Sequence, residues 1–279
     1  MKSLRNRCLC LLVLLLGCVA GYGKTVLSKS TGAPVQYASV GIIDRNCGTL
    51  TDTLGNFTLK MDSRHINDSI RISCIGYITQ TFAVKDFMTV PDTILLSENA
   101  VQLNEVVVKP EKIKHKIAGR KKGGGILQFN MAGDSIAGFG IAMLVKVKKR
   151  AWLKEIGFHN ISDTLPNGCK PLSQMKFRVN FYRKEDDKYK LMNLKPEYFD
   201  YHISQLVDNS FAHTFSDEIT LEKGEYYVEL EFLENYSSEF FMFKASPLTG
   251  TTRMRAASHS SWFRFPVVFP IYVAYDTID

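Results

Sequence analysis

Short runs of alternating apolar and polar residues follow one another along most of the chain. Residues 176–181 (KFRVNF) and 227–232 (YVELEF) place apolar side chains on one face and charged or polar side chains on the other. This alternation is typical of half-solvated strands in an antiparallel sheet. No run of about 12 residues or more keeps a helical period, which argues against βαβ and nucleotide-binding folds. The pattern predicts an all-β protein.

The strands predicted before residue 109 are short and closely spaced. A turn at Leu54-Gly55-Asn56 joins two of them into a hairpin. Regular spacing of this kind predicts an antiparallel β-sandwich. The predicted strands cover residues 37–43, 48–53, 57–59, 69–74, 78–84, 93–96 and 101–108.

A change in composition separates the two halves of the chain. Residues 109–122 hold seven cations and one acid and lead into Gly123-Gly124-Gly125. This composition predicts an exposed, flexible, basic and Gly-rich linker over residues 109–125. Strands resume beyond it, and a second β-sandwich over residues 126–279 is the simplest interpretation. A helical turn is predicted within residues 205–215.

The first residues have the character of an export signal. Three cations precede the apolar run Leu9–Leu16, which is too short to span a membrane. We expect a signal peptide over residues 1–23, with two alternatives for its cleavage. Leu15-Leu16-Gly17-Cys18 resembles a lipobox, in which Cys18 would become the lipidated first residue, whereas the small residues Ala20, Gly21 and Gly23 suit an ordinary signal peptidase. Either route predicts a periplasmic or outer-membrane protein, and a lipid anchor at Cys18 would be its only membrane attachment.

Composition and charge narrow the classes of partner. The 279 residues, 45% of them hydrophobic and 23% charged, can form one or two domains with a real core. Removal of the leader's three cations leaves 32 Lys and Arg against 28 Asp and Glu, a net charge of +4. Export argues against a nucleic-acid partner. Three cysteines follow the leader, so no disulfide framework is predicted, and pairing of Cys47 with Cys74 stays open.

Three motifs in the first half carry a family resemblance. They are residues 30–40 (STGAPVQYASV), 48–57 (GTLTDTLGNF) and 73–77 (SCIGY). In this order they resemble the carboxypeptidase regulatory-like domain over residues 24–108. The resemblance implies a seven-stranded, transthyretin-like sandwich of the kind found in Gram-negative envelope proteins. The matching residues serve the fold and not a site: Gly32, Pro34, Ala38, Asp52, Gly55, Phe57, Gly76 and Tyr77.

Two further resemblances bear on partners. Residues 103–108 (LNEVVV) are similar to the segment that ends this domain in the N-terminal extensions of TonB-dependent receptors. The remaining residues are too few for a plug and a 22-stranded barrel, so the resemblance implies an envelope protein or receptor component as partner. Residues 119–279 are similar to a domain of unassigned function that often accompanies this module.

No constellation of residues specifies a reaction. The six histidines lack the spacings of zinc peptidases. Gly133-Asp134-Ser135-Ile136 resembles the start of a serine esterase block, but the one Asp-x-x-His, residues 62–65, lies upstream of it. We therefore predict no catalytic, cofactor or metal site. The cations of residues 109–122 and 146–150 are interpreted as a solvated surface.

One short pattern recurs more often than composition predicts. Asp followed by Ser or Thr and then an aliphatic residue occurs six times. The triplet resembles an O-glycosylation acceptor of exported proteins, and turns that open strands explain it equally well. The candidate acceptors are Thr53, Ser69, Thr93, Ser135, Thr164 and Thr277.

The leading functional prediction is a non-catalytic, exported envelope protein that acts as a structural or protein-interaction module. The alternative is carbohydrate binding through residues 119–279, whose aromatic residues near the C-terminal end could stack on sugars or form core. A concave aromatic surface with a few polar groups would favour a glycan, and a flat apolar patch would favour a protein partner.

Overall fold

The computed structural model describes residues 20–99, 112–162, 169–186, 188–192, 194–237, 239–247 and 252–278. Most of the predicted leader with Cys18, the predicted strand 101–108, the start of the predicted linker and Thr164 lie outside the described residues. Within them the chain is built almost entirely of strands, and the all-β prediction is confirmed. No helix in the described ranges has the length and apolar character to cross a membrane.

Residues 20–99 form a sandwich of seven strands, which we call the first sandwich. One sheet has the order β4-β1-β7 and the other β3-β2-β5-β6. A core of side chains such as Val26, Val40 and Ile70 fills the space between them. Its strands are β1 (Ala20–Ser28), β2 (Ser39–Ile42), β3 (Gly48–Leu50), β4 (Asn56–Met61), β5 (Ser69–Ser73), β6 (Gln80–Ala83) and β7 (Thr93–Leu96), with the short helix α1 (Val84–Phe87) after β6.

The motif residues act in turns and core, as the resemblance implies. Asp52 accepts hydrogen bonds from the backbone N–H groups of Leu54 (2.9 Å) and Asn56 (2.8 Å), which closes the turn before β4. Gly55 has φ +79° there, and a Cβ atom would overlap the carbonyl oxygen of Val26. This position therefore requires glycine.

The described residues between 112 and 278 form the second sandwich, with sheets ordered β14-β13-β17-β10-β19, β16-β11-β20-β8 and β12-β18-β9. Strand β15 also pairs with β13. Closely packed phenylalanine rings dominate the core. The strands are β8 (Ile113–Gly119), β9 (Leu127–Ala132), β10 (Gly140–Val147), β11 (Ala151–Phe158), β12 (Lys170–Pro171), β13 (Gln174–Glu185), β14 (Lys188–Leu191), β15 (Glu197–His202), β16 (Phe211–Leu221), β17 (Gly224–Phe232), β18 (Glu239–Ala245), β19 (Thr252–Arg255) and β20 (Ile271–Ile278).

Two local predictions are wrong. The linker predicted over 109–125 contains β8, which pairs antiparallel with β20 from Ile113↔Ile278 to Gly119↔Tyr272. Strand β8 lies at the edge of its sheet, and cationic side chains suit an edge because they oppose further strand pairing. The helical turn predicted within 205–215 is limited to a 3₁₀ turn at Ile203–Gln205, because residues from Phe211 onward form β16.

The polar faces of β13 and β17 are buried, which corrects the prediction that they face solvent. Arg178, Asn180, Glu229 and Glu231 are each at most 3% exposed. The first sandwich covers this face: the Arg178 guanidinium donates to the carbonyl of Tyr37 at 2.7 Å. The two sandwiches therefore contact each other directly.

Ionic pairing makes this burial tolerable. Arg178 pairs with Glu231 at 2.6 Å, and Arg255 pairs with Glu229 at 2.5 Å and with Glu231 at 2.6 Å. Asn180 donates to both carboxylates. Burial alone would raise the pKa of both carboxyls; the two arginines hold that of Glu231 below its usual range, while that of Glu229 stays raised. We call these five residues the buried ionic cluster.

Candidate functional site

A concave cleft of about 770 Å³ opens in the second sandwich. Strands β15, β16 and β20 meet there with the segments that follow β8 and β11. We call it the polar–aromatic cleft. Its lining consists of Lys121–Gly123, His159, Asn160, Phe199–Tyr201, Gln205, Val207, Asp208, Ser210–His213 and Tyr272.

His159 lines this cleft directly after the end of β11. Its backbone N–H donates to the carbonyl of Pro270 at 2.8 Å, and the residue is 5% exposed. Burial lowers the pKa of His159, so the imidazole is neutral at neutral pH. Its Nε2 atom is buried and has no hydrogen-bond partner in the described part of the chain.

The next residue, Asn160, shapes the entrance. It adopts a left-handed conformation with φ +56°, which asparagine tolerates better than most residues. Its amide donates to the carbonyl of Gly123 at 2.8 Å. This bond ties the segment after β8 to the cleft.

Tyr201 contributes a second buried polar atom without a partner. It lies on β15, is 7% exposed, and its ring centroid is 4.6 Å from that of Phe211. Burial raises the pKa of Tyr201 to about 12, which keeps the phenol protonated. The Oη atom has no hydrogen-bond partner among the described residues. An unsatisfied buried polar group costs about 1–3 kcal/mol, so two in one cleft require an explanation.

A stacked pair of rings forms one wall. The Phe199 and His213 rings are parallel within 4°, with centroids 4.2 Å apart. His213 Nε2 lies 2.7 Å from Glu197 Oε1, and this buried carboxylate also accepts from Ser216 Oγ at 2.9 Å. The serine hydroxyl thus bonds to the carboxylate and not to the histidine, which differs from the order of a nucleophilic triad.

A cation and a phenol meet at Glu155 beside the opposite wall. Lys121 Nζ donates to Glu155 Oε1 at 2.8 Å, and Tyr272 Oη donates to the same atom at 2.6 Å. Burial by itself would raise the pKa of Glu155. The two hydrogen bonds outweigh this effect, so the pKa of Glu155 lies below its usual range. Glu155 follows an irregularity in the pairing of β11 with its neighbours, where a bulge can redirect a side chain.

A tight hairpin turn over residues 207–210 forms the rim of the polar–aromatic cleft. The backbones of Val207 and Ser210 exchange two hydrogen bonds of 3.0 Å. Asp208 and Asn209 between them both have positive φ, at 50° and 56°, as a type I′ turn requires. The turn presents the exposed side chains of Val207 and Asp208 at the cleft.

The candidate O-glycosylation residues that the structure describes do not line this cleft. Thr53, Thr93 and Ser135 are exposed, and Ser69 is half-buried in β5. Thr277 is 4% exposed and its hydroxyl donates to the carbonyl of Arg150 at 3.0 Å, so burial removes it as an acceptor in the folded chain.

The structure also locates the cysteines and the C-terminal aromatic residues that the sequence analysis considered. Cys47, Cys74 and Cys169 are free thiols. No group of three or more His, Cys, Asp or Glu side chains within the described ranges could hold a metal ion. Of the aromatic residues near the C-terminal end, Phe269 is core and Tyr272 lines the cleft. Sequence reasoning missed His159 and Tyr201, because nothing near either residue in the chain marks it as part of a site.

Comparisons with known proteins identify the first sandwich. Residues 23–108 match the family model of the CarboxypepD_reg-like domain, which confirms the resemblance carried by the three motifs. This domain is a non-catalytic module. None of the curated proteins matches the chain.

Likeness to solved structures is weak. A chain from the structure of infectious bursal disease virus Gx strain shares 8% identity at a TM-score of 0.27, covering 94% of this chain and 62% of that chain. A chain from a study of carbohydrate-binding modules of the β-sandwich superfamily shares 8% identity at a TM-score of 0.19, covering 88% and 97%. The present chain thus spans less than two thirds of the viral chain.

Proposed function

We propose that this protein is a non-catalytic carbohydrate-binding protein and that the polar–aromatic cleft holds the glycan. One observation carries the proposal: His159 and Tyr201, each with a buried polar atom that has no hydrogen-bond partner in the described chain, line the same concave cleft as several aromatic rings. Sugar hydroxyls donate and accept hydrogen bonds, so they can satisfy a neutral imidazole and a protonated phenol together.

The rest of the lining suits the same ligand. Ring faces offer contact area to the apolar C–H faces of a sugar, and Phe199 and Tyr272 supply such rings. Around them stand Asp200, Gln205 and Asp208, whose oxygens accept hydrogen bonds from hydroxyl groups. A few placed polar groups on an aromatic surface is the usual composition of a small-ligand site, and a volume of about 770 Å³ is within the usual range for one.

We further propose the setting in which the cleft works. The sequence pattern of residues 1–23 supports export to the periplasm or outer membrane, with Cys18 as a candidate anchor. The CarboxypepD_reg-like domain would then serve as a scaffold, and an envelope protein or receptor component remains its proposed partner.

The test is saccharide binding by the chain and by a minimal variant. A printed array of neutral and acidic oligosaccharides would identify a binder, and calorimetry would give its affinity. Tyr201→Phe removes only the unpartnered hydroxyl, so we expect an affinity about 2- to 12-fold lower, as loss of one hydrogen bond predicts. The fold should be unaffected, since that hydroxyl bonds to nothing in the described chain.

Tyr275→Phe is the matched control, because Tyr275 is equally buried in the same sandwich and does not line the cleft. It should bind like the wild type. Failure of every saccharide to bind, or equal binding by Tyr201→Phe, would contradict the proposal. A protein partner recovered from envelope extract without any glycan would instead favour an interaction module.

A further inference from the structure

A second cleft, of about 720 Å³, lies between the two sandwiches. Side chains of β5 and β6 line it on one side, among them Arg71, Ser73 and Thr81. On the other side, β13 and β14 contribute Tyr182 and Tyr189. Arg71 and Thr81 are register partners on β5 and β6, and therefore share one face of their sheet. We call this space the interdomain cleft.

The charged residues of the interdomain cleft are all basic. Two of them, Arg178 and Arg255, belong to the buried ionic cluster and are balanced by its glutamates. Lys190 pairs with Glu185 at 2.9 Å. Lys188 is exposed to solvent, where a charge is well hydrated.

Arg71 differs from these residues. Its side chain is half-buried, yet the described residues provide it with neither a hydrogen bond nor an ion pair. A guanidinium group that has lost part of its hydration gains strongly from an opposite charge. A half-buried arginine that has no hydrogen bond or ion pair is therefore unusual.

The pKa of His259 reflects the charges that surround it in the interdomain cleft. His259 lies in the cleft, with its Nε2 atom 3.1 Å from the carbonyl oxygen of Ser39. Burial, reinforced by the positive charges of Arg255 and Arg71, lowers the pKa of His259 to about 4. Burial disfavours a charge of either sign at His259, whereas the positive charges of Arg255 and Arg71 act against a further cation and not against an anion.

We propose that the interdomain cleft binds a small ligand through a carboxylate or phosphate group, with the Arg71 guanidinium as its principal contact. The planar fork of arginine pairs with both groups through two parallel hydrogen bonds. The hydroxyls of Ser73 and Thr81 stand beside Arg71 and provide further donors. Because its walls come from both sandwiches, an occupied cleft also stabilises their contact.

Calorimetry on the full chain tests this site with three probes: inorganic phosphate, D-glucuronate and neutral D-glucose. We expect at least one oxyanion to bind, and its affinity to fall about tenfold or more in Arg71→Gln, as loss of a charged hydrogen bond predicts. Whichever of phosphate or glucuronate binds identifies the group that the cleft selects. The melting temperature without ligand should not change, because Arg71 has no partner in the described chain.

Arg64→Gln is the matched control, since Arg64 is an exposed arginine of the same sandwich whose partner is Asp62. It should bind oxyanions like the wild type. Tyr201→Phe should also leave this binding unchanged, which separates the interdomain cleft from the proposed glycan site. Absence of oxyanion binding, equal binding by Arg71→Gln, or loss of binding in Tyr201→Phe would overturn the proposal.

Discussion

Four ionisable side chains are almost fully buried where the two sandwiches meet. Arg178, Arg255, Glu229 and Glu231 form three ion pairs of 2.5–2.6 Å, and Asn180 and Tyr182 donate further hydrogen bonds to the glutamates. Removing charges from water costs several kcal/mol for each ion, which pairing and hydrogen bonding offset only when the geometry is complete. Loss of one charged member of the buried ionic cluster therefore leaves one buried charge in excess.

Arg178→Met should lower the free energy of unfolding by about 3–5 kcal/mol, the usual result of breaking a buried pair from one side. Glu231 would lose one of its two arginine partners and keep Arg255, and the bonds from Arg178 to Tyr37 and Ser39 of the first sandwich would also be lost. Urea denaturation followed by fluorescence measures the change. Arg183→Met, at an exposed position of the same strand, is the control. Equal losses in the two variants would show that burial of the charge is unimportant.

At the scale of elements, the segment around Ser258 can pack closely on β2 and β3 because two glycines there carry no side chain. Gly41 on β2 and Gly48 on β3 are register partners. A Cβ atom on either one would overlap the carbonyl oxygen of Ser258. The backbone of Asp44 donates to the carbonyl of His259 at 3.0 Å, which fixes the same segment on the sheet. These glycines therefore allow close approach between the sandwiches.

Gly41→Ala should destabilise the protein by about 1–3 kcal/mol, the range for overpacking a close contact. The neighbouring atoms are backbone, which cannot move aside as a flexible side chain can. Thermal unfolding followed by circular dichroism gives the comparison. Gly124→Ala, where a new Cβ atom would meet nothing within 4 Å, should stay within about 0.5 kcal/mol of the wild type. A Gly41→Ala variant of wild-type stability would refute the close approach.

For the whole molecule, the contact between the sandwiches includes a titratable group. His259 comes from the second sandwich and contacts Ser39 and Ser73 of the first. Arg255, Arg71 and Glu231 are the charged groups that act on it. Its pKa is about 4 in the folded chain, against about 6.5 for a free histidine. Folding therefore favours the neutral imidazole, and protonation opposes the contact.

Because of His259, the free energy of unfolding should fall as the pH is lowered. The contribution of His259 is fully present above about pH 6.5 and is lost as the pH falls toward 4, because the unfolded chain binds the extra proton first. One such group adds at most about 1.4 kcal/mol per pH unit to the slope. Chemical denaturation at several pH values between 7.5 and 4.5 measures it.

His259→Gln provides the reference, since it removes the titration while keeping a polar side chain. His159, whose pKa is also lowered by burial, contributes in the same direction to both proteins and cancels in the comparison. Wild type should therefore lose stability more steeply than His259→Gln over this range. Parallel pH profiles would contradict a role for His259 at the contact between the sandwiches.

Local patterns were enough to predict most strands of the first sandwich, but they predicted neither its β1 nor β8 of the second sandwich. Alternation identifies a strand because neighbouring side chains point to opposite faces, and turn residues such as Asp52 and Gly55 act within a few positions of each other. The alternation also identified the charged face of β13 and β17. It shows that the two faces of a strand differ, but it does not show which part of the molecule covers each face.

Tertiary structure decided the rest. Residues 113–119 form a strand only because β20, far along the chain, pairs with them. His159 and Tyr201 share a cleft because β11 and β15 lie close in the folded chain, and Arg71 faces the second sandwich because the two sandwiches pack together. Local patterns were sufficient only for turns and for strands whose own residues carry the pattern, such as β13 and β17. Sites built from distant segments depend on packing, which acts between residues whose separation along the chain carries no local signal.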